Sequence, residues 1–182
     1  MEGMSTTTQL TWEEFERLPE QPGKQELWKG ELIELPPAKF RHLVVSKRIY
    51  KSLDGAVDEA HARGEAQNLG QVYHEGGYRL GQRTWLQPDV SITHAGQTID
   101  DYMENSPAIA IEVVSPVNTP KKLEMKTKLY FEFGALEVWH FYPDKGHVVV
   151  HRVGAEPVTE REGLTTPLLP GFTLNVAEIL RG

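Results

Sequence analysis

The fold of this 182-residue chain is decided by residues 107–142, which read PAIAIEVVSPVNTPKKLEMKTKLYFEFGALEVWHFY. The run 108–114 at its start is apolar and rich in β-branched residues, and prolines lie on both sides of it. Such a run is typical of a central strand that is buried on both faces. Glu112 interrupts it with a carboxylate, whose burial is costly unless the charge is paired, hydrogen-bonded or bound to a cation. We therefore expect Glu112 to serve a specific purpose.

A helix and a second strand follow this first strand. The segment from Thr119 to about Phe133 is rich in lysine and predicts a helix, which Gly134 ends. The apolar run 136–142 then predicts another buried strand. The strand–helix–strand order indicates a crossover within one sheet.

The remaining segments predict a chain that mixes helices and strands. In order, we expect a capped helix from Thr11 to about Leu18, a hairpin over 26–35, a long helix over 40–62, strands at 66–69, 71–79 and 87–93, a helical turn at 99–104, strands at 147–153, 157–161 and 170–174, and a terminal helix at 176–180. This order predicts an α/β (α+β) fold with a mixed central β-sheet flanked by helices.

Composition limits the classes of protein that the chain can represent. The formal net charge of −7, from 26 acidic and 19 basic residues, argues against a protein that coats nucleic acid without specificity. The absence of cysteine excludes disulfides, thiolate zinc sites and cysteine nucleophiles, and it is compatible with a cytoplasmic location. No apolar stretch approaches the ~18 residues of a membrane span, so we expect no membrane partner. We expect residues 1–10 to form a disordered or frayed tail and residues 11–182 to form a single domain.

A second acidic residue begins another apolar strand. Asp89 follows Pro88 and lies twenty-three positions before Glu112, a separation that suits two adjacent strands joined by a turn-containing excursion. Two carboxylates that converge from neighbouring strands form a hard-oxygen site suited to Mg²⁺ or Mn²⁺. The alternatives are a buried structural salt bridge for Glu112 and a strand-capping or turn carboxylate for Asp89.

One lysine of the predicted helix is placed to reach inward. Lys126 lies three positions after Leu123 and four before Tyr130, so it shares a helix face with these apolar residues. The alternative is that Lys126 is a surface lysine, like the other lysines of this helix.

These features, taken in order, resemble the Uma-two family of restriction endonuclease-like proteins, which belongs to the PD-(D/E)xK nuclease superfamily. The resemblance depends on Pro88-Asp89, Glu112-Val113-Val114-Ser115-Pro116, Lys126, Tyr130, Gly134 and Glu137-Val138-Trp139, with the hairpin residues 26–32 and His42 upstream. It spans about Thr11 to Arg152.

The resemblance implies a restriction-endonuclease-like fold and metal-dependent hydrolysis of DNA phosphodiesters. It also implies that Asp89 and Glu112 hold Mg²⁺ or Mn²⁺, and that Lys126 orients or activates the attacking water and offsets charge at the phosphate. The usual superfamily lysine, two positions after the acidic residue, is Val114 here. In the Uma-two pattern the lysine has moved to the following helix, which matches Lys126.

Two further residues are candidates for the site. Glu31 is one, because helix and hairpin acids often complete the metal site of the superfamily, although solvation of the hairpin explains it equally well. His42, at the start of the long helix, is the other, and histidines at such positions more often cap or pack.

Three functions remain open from the sequence. The first is a Mg²⁺- or Mn²⁺-dependent endonuclease with DNA as its partner, whose basic segments at 39–51 and 121–128 face the substrate. The second is a catalytically inactive nuclease-fold module for binding or assembly, which the acidic net charge favours. The third is a metal-dependent hydrolase of a smaller phosphate ester. Such folds commonly form homodimers or higher homo-oligomers, and an exposed strand such as 148–150 could pair with a second copy.

Overall fold

The computed structural model describes residues 9–182. In chain order, the elements are α1 (Trp12–Glu16), β1 (Lys24–Trp28), β2 (Glu31–Leu35), α2 (Phe40–Ala62), β3 (Leu69–His74), β4 (Tyr78–Arg79), β5 (Trp85–Leu86), β6 (Val90–His94), β7 (Met103–Glu104), β8 (Ile109–Val113), α3 (Pro120–Glu132), β9 (Glu137–Tyr142), β10 (His147–Arg152), β11 (Val158–Glu160), β12 (Gly163–Leu164), β13 (Leu174–Asn175) and α4 (Val176–Leu180).

The largest sheet has the strand order β11-β10-β9-β8-β6-β3. Strands β8 and β9 are parallel and are joined through α3, whereas the other neighbouring pairs in this sheet are antiparallel. The predicted crossover and the predicted mixed sheet flanked by helices are both confirmed.

Strand β8 is buried along its whole length, as its apolar sequence predicts. Its side chains alternate between two apolar clusters, because successive residues of a strand point to opposite faces. Ile109 and Ile111 belong to the cluster that includes α2, whereas Ala110 belongs to the cluster that includes α3. Glu112 therefore points to the same side as Ala110, towards α3.

Helix α2 covers one face of the large sheet. Its residues Val45, Ile49, Leu53 and Val57 recur at every fourth position and are almost completely buried. This spacing places them on one side of the helix. Burial of each side chain contributes roughly 1.5–3 kcal/mol. The C-terminal helix α4 packs against the same cluster.

A second sheet, with the order β2-β1-β5-β4-β7, contributes to the other apolar cluster. Tyr78, Leu80 and Leu86 of this region are fully buried and share that cluster with Leu129 and Tyr130 of α3. This packing brings β1 within hydrogen-bonding distance of α3, which determines the composition of the site described below.

The predicted strand over 71–79 is divided between the two sheets. Residues 69–74 form β3 beside β6, and residues 78–79 form β4 in the second sheet. The chain changes sheets at Gly76 and Gly77, where a β-carbon on Gly77 would overlap the ring of Trp85. Glycine is required there because another side chain packs directly on the backbone.

Three other sequence predictions are wrong. The strand predicted at 66–69 is absent, because the amide of Leu69 donates a hydrogen bond to the carbonyl of Ala66 at 2.9 Å in a turn and β3 begins only at Leu69. Residues 99–104 do not form a helical turn, because Met103 and Glu104 form β7, which pairs in parallel with β4 and buries Met103. The segment 148–150 is not an exposed strand, because β10 lies between β9 and β11 and buries Val148 and Val150. Of the strand predicted at 170–174, only Leu174 lies in a strand, β13, whereas the predicted terminal helix after it is present.

The tail expected over residues 1–10 falls mostly on residues 1–8, which lie outside the described residues. The first described residues are attached to the hairpin region: the amide of Leu10 donates a hydrogen bond to the carbonyl of Gly30 at 2.8 Å. In the described part of the chain, no helix combines the length and the apolar character needed to cross a membrane. The single domain over 11–182 stays a prediction.

Candidate active site

Glu112 of β8 is buried and paired on the side of α3. Its Oε1 accepts a hydrogen bond from the Tyr130 hydroxyl at 2.8 Å and one from Lys126 Nζ at 2.7 Å. Both of these donors contact the same oxygen, Oε1 of Glu112. The energetic cost of a carboxylate in a buried strand is thus offset by one cationic and one neutral donor.

Lys126 reaches inward from α3, on the helix face shared with Leu123 and Tyr130. The residue is only 5% exposed, and its Nζ lies 2.7 Å from Oε1 of Glu112 and 2.7 Å from Oε1 of Glu26. Burial alone would lower the pKa of Lys126, but the two carboxylates outweigh burial and raise it above its usual value. The ammonium is therefore held between two acids in its charged form.

Glu26 of β1 is a member of this cluster that the sequence analysis did not single out. It is fully buried; its Oε1 also accepts from the amide of Gln87 at 2.9 Å, and its Oε2 accepts from Trp28 Nε1 at 2.9 Å. The sequence contained one signal for it. Lys24, Glu26 and Trp28 alternate along one face of β1, which gives that face a polar and aromatic character unlike a simple core strand.

Glu31, the hairpin acid named from the sequence, lies elsewhere. It is exposed on β2, opposite Trp28 in the strand register, and it does not line the cleft that contains Glu112. Of the three acids in the hairpin, the structure brings Glu26 to the cluster and leaves Glu31 and Glu34 exposed.

Asp89 lies at the entrance to β6, where its amide donates to the carbonyl of Ile111 at 3.1 Å. Its Oδ2 accepts from the amide of Val113 at 2.7 Å. Its Oδ1 accepts from Lys24 Nζ at 2.8 Å and lies 3.1 Å from Nε2 of His42, in the first turn of α2. The structure therefore brings Asp89 and His42 together, and it adds Lys24, which the sequence analysis missed.

The two carboxylates that were predicted from the sequence have opposite pKa shifts. For Asp89, burial would raise the pKa, but Lys24 and the hydrogen bond from His42 outweigh burial and lower it well below the usual range. For Glu112, burial raises the pKa to about 6, and the negative charges of Asp89 and Glu26 add to this effect against the opposing effect of Lys126. The same contact with Asp89 raises the pKa of His42, although burial alone would lower it.

These residues lie in an open cleft of about 670 Å³. Lys39 at the N-cap of α2, Arg41 of α2 and Lys122 of α3 also line the cleft, so both basic segments named from the sequence contribute to its wall. Arg41 forms a salt bridge with Asp144, in which Nη1 of Arg41 lies 2.9 Å from Oδ1 of Asp144. Lys128 does not line the cleft and pairs with Glu124 on the exposed side of α3.

The donor set fits a hard divalent cation better than a metal that needs a complete protein cage. Asp89 and Glu112 provide carboxylate oxygens in one cleft, whereas within residues 9–182 no group of three or more His, Cys, Asp or Glu residues is arranged to hold a metal ion. Mg²⁺ commonly uses one or two protein carboxylates and takes its other ligands from water and substrate phosphates. Zinc requires three or four protein ligands, and the set does not fit it.

The mixed sheet, its flanking helices and the cluster of acids and lysines at the strand ends define a protein of the restriction-endonuclease-like class. The chain belongs to the Uma2 (Uma-two) family, whose model is described as "Putative restriction endonuclease" and matches residues 12–177. The resemblance found in the sequence is thereby confirmed.

A solved structure shows the same fold. It is described as a "putative nuclease belonging to DUF820" from Anabaena variabilis ATCC 29413, and it superposes with a TM-score of 0.80 at 19% sequence identity. The match covers 94% of this chain and 97% of the other. The predicted restriction-endonuclease-like fold is therefore confirmed. Among curated proteins, none matches this chain.

Proposed function

We propose that this chain is a Mg²⁺- or Mn²⁺-dependent endonuclease that hydrolyses phosphodiester bonds of DNA. Membership of the Uma2 family and the fold support a nuclease in general. The observation that carries the finer proposal is the buried Glu112–Lys126–Glu26 group, which lies beside Asp89 in a cleft with cationic walls.

Each residue has a separate task in this proposal. Asp89 and Glu112 hold the divalent cation, which supplies positive charge against the negative charge that builds on a phosphate during hydrolysis. Lys126 presents a fixed ammonium beside Glu112 in a cleft partly shielded from water, where its charge acts more strongly than in bulk solvent. Lys39 and Lys122 lie on the walls, where they can neutralise phosphates of the bound strand.

Isosteric variants test the proposal in a plasmid-nicking assay with Mn²⁺. We expect Asp89→Asn and Glu112→Gln to lower the nicking rate at least about 100-fold, because each removes a charged ligand while the shape of the side chain is kept. Glu34→Gln is the matched control, since Glu34 is an exposed acid of β2, and it should retain full activity. Circular dichroism verifies that every variant is folded.

The assay has outcomes that contradict the proposal. If nicking by the wild-type protein persists in a chelator, metal dependence is wrong. If Asp89→Asn and Glu112→Gln both nick DNA at the wild-type rate, the site assignment is wrong. If the protein cleaves a generic phosphodiester substrate but not supercoiled DNA, DNA is not the substrate and a smaller phosphate ester replaces it.

One observation favours the second candidate function, a catalytically inactive binding or assembly module. The three acids Glu26, Asp89 and Glu112 are already paired with Lys24 and Lys126, so the cluster also has the form of an internal ion-pair network. Binding of DNA without cleavage, in the presence of Mn²⁺, would establish this function instead. The homo-oligomeric state and the cytoplasmic location expected from the sequence stay predictions.

A further inference from the structure

Both carboxylate oxygens of Asp89 already have donors, whereas the two side-chain donors of Glu112 described above both contact a single oxygen, Oε1. A carboxylate oxygen offers two lone pairs to donors. Oδ1 of Asp89 uses both, one for Lys24 Nζ at 2.8 Å and one for Nε2 of His42 at 3.1 Å. Any further ligand of Oδ1 must therefore replace one of these two side chains.

The other oxygen of Asp89 is less suited to a ligand in the cleft. Oδ2 accepts the amide hydrogen of Val113, and this contact is fully buried. The contact between Oδ1 and Lys24 is only partly buried, and Lys24 lines the cleft. Oδ1 is consequently the oxygen of Asp89 that a cation entering from the cleft reaches first.

Lys24 is the partner that can leave Oδ1. Its ammonium is a single charged group on a flexible four-carbon chain, whereas the imidazole of His42 is attached by a short chain to the first turn of α2. The side chain of Lys24 is 16% exposed, and its Nζ already has a second acceptor, the carbonyl of Gln87 at 3.0 Å. When Lys24 withdraws from Asp89, this carbonyl and solvent still satisfy its ammonium.

We propose that Lys24 competes with the divalent cation for Oδ1 of Asp89, so that the Lys24 ammonium determines how tightly the site binds metal. The inference rests on the proposed function, because it assumes that Asp89 is a metal ligand. In addition to Asp89 and Glu112, which bind the metal, the site then contains one residue, Lys24, that opposes metal binding. The affinity for the metal then depends on how much more strongly Oδ1 of Asp89 binds the metal cation than it binds the Lys24 ammonium.

Calorimetric titration with MnCl₂ tests this competition without relying on cleavage. We expect Lys24→Met to bind Mn²⁺ about tenfold more tightly than the wild-type protein, because breaking a largely buried ion pair is no longer part of the binding reaction. We expect Lys24→Arg to bind Mn²⁺ more weakly than wild type, because a guanidinium can hold a carboxylate with two donors. The two substitutions thus change affinity in opposite directions.

Lys39→Met is the matched control. Lys39 lines the same cleft, and its substitution by methionine removes the same charge as Lys24→Met does. Among residues 9–182, however, no carboxylate forms a salt bridge with Lys39. Its effect measures the general electrostatic contribution of one lysine, which we expect to stay within about twofold. If Lys24→Met does not fold, Lys24→Arg and the control still decide the question.

The outcomes separate this inference from the proposed function. If wild type binds Mn²⁺ and Lys24→Met binds it no more tightly than Lys39→Met does, the competition is overturned while the metal-dependent function stands. Affinity of Lys24→Arg equal to or above that of wild type also overturns it. If none of the proteins binds Mn²⁺, the metal dependence in the proposed function is overturned together with the inference.

Discussion

Asp89, immediately before β6, and Glu112, on the neighbouring strand β8, are chemically similar acids, yet their surroundings give them different protonation behaviour. Lys24 and His42 lower the pKa of Asp89, whereas burial near other acids raises the pKa of Glu112 to about 6. Asp89 is therefore ionised throughout the pH range in which the protein would work, and Glu112 is the carboxylate that changes charge closest to neutrality. A pair of acids with separated pKa values is a common property of hydrolytic sites.

Two acids of the hairpin, Glu26 and Glu31, allow a direct test of the site at the residue scale. We expect Glu26→Gln to lower kcat for DNA cleavage about 10- to 100-fold with little change in KM, because Glu26 holds the ammonium of Lys126 in place. We expect Glu31→Gln to leave both constants unchanged, because Glu31 is exposed and outside the cleft. Steady-state kinetics on plasmid DNA measures the difference. A loss of activity in Glu31→Gln alone would reverse the two assignments.

Some site residues could be predicted from the sequence and others could not, for a physical reason. Glu112 and Asp89 were recognisable because each is an acid placed within or against an apolar strand, which is a local anomaly. Glu26 and Lys24 became site residues only because β1 packs against residues more than sixty positions later, such as Gln87 and Asp89. No local pattern encodes a contact between residues so far apart in the sequence. The sequence therefore could not show that Glu26, and not Glu31, is the hairpin acid that belongs to the site.

At the element scale, two glycines have opposite roles. Gly55 lies inside α2, and a β-carbon there would have no neighbour within 4 Å. We expect Gly55→Ala to stabilise the protein by up to about 1 kcal/mol, because alanine favours the helix and reduces the entropy of the unfolded chain. We expect Gly77→Ala to destabilise it by more than about 1 kcal/mol, because the new methyl group would overlap the ring of Trp85.

Urea denaturation measures both changes in the free energy of unfolding. Gly77→Ser is a useful addition, since any β-carbon should produce the same loss. Equal stability of Gly77→Ala and wild type would show that the ring of Trp85 moves away without cost, which would contradict the packing described for the sheet-to-sheet crossing.

Long elements were predictable from the sequence and short ones were not. Helix α2 and the crossover from β8 through α3 to β9 have enough residues to show their periodicity. Strands β4, β5 and β7 have two residues each, and they are defined by their pairing within the second sheet, where β5 also pairs with β1. The prediction of a helical turn at 99–104 failed for this reason, because two residues carry no periodic signal.

At the scale of the whole molecule, charge is distributed unevenly. The chain has a net charge of −7, yet Lys39 and Lys122 lie on the walls of the one cleft that contains the acid–lysine cluster. Such an arrangement supports binding of a polyanion at one place while the rest of the surface repels it. The sequence indicated this distribution through its two basic segments, but it did not indicate the second sheet that closes one side of the cleft.

Stability of the molecule should fall in mild acid because of His140. Burial, with His151 and Lys126 nearby, lowers the pKa of His140 to about 3. Between that value and the ordinary pKa of 6.5 the unfolded chain binds a proton that the folded chain does not, so stability is lost as pH decreases below 6.5. We expect His140 to account for a loss of about 2 kcal/mol at pH 5 relative to pH 8.

Comparison of wild type with His140→Gln isolates this effect. Glu112, whose pKa is raised to about 6, changes stability in the opposite direction, because its folded form binds the extra proton. That contribution is shared by both proteins and cancels in the comparison. Urea denaturation at pH 5, 6, 7 and 8 should give a flatter profile for His140→Gln, and parallel profiles would disprove the assignment.

Because Lys126 extends from α3 and not from β8, the distance along the chain between acid and lysine is not what aligns them. An α-helix turns by about 100° per residue, so one residue inserted between Leu123 and Lys126 would rotate the ammonium away from Glu112. An insertion in the connection at 115–118 leaves the angular register of α3 unchanged. A related chain with a longer or shorter connection can therefore keep the same contact between acid and lysine. A sequence motif with a fixed acid-to-lysine spacing would not identify such a chain.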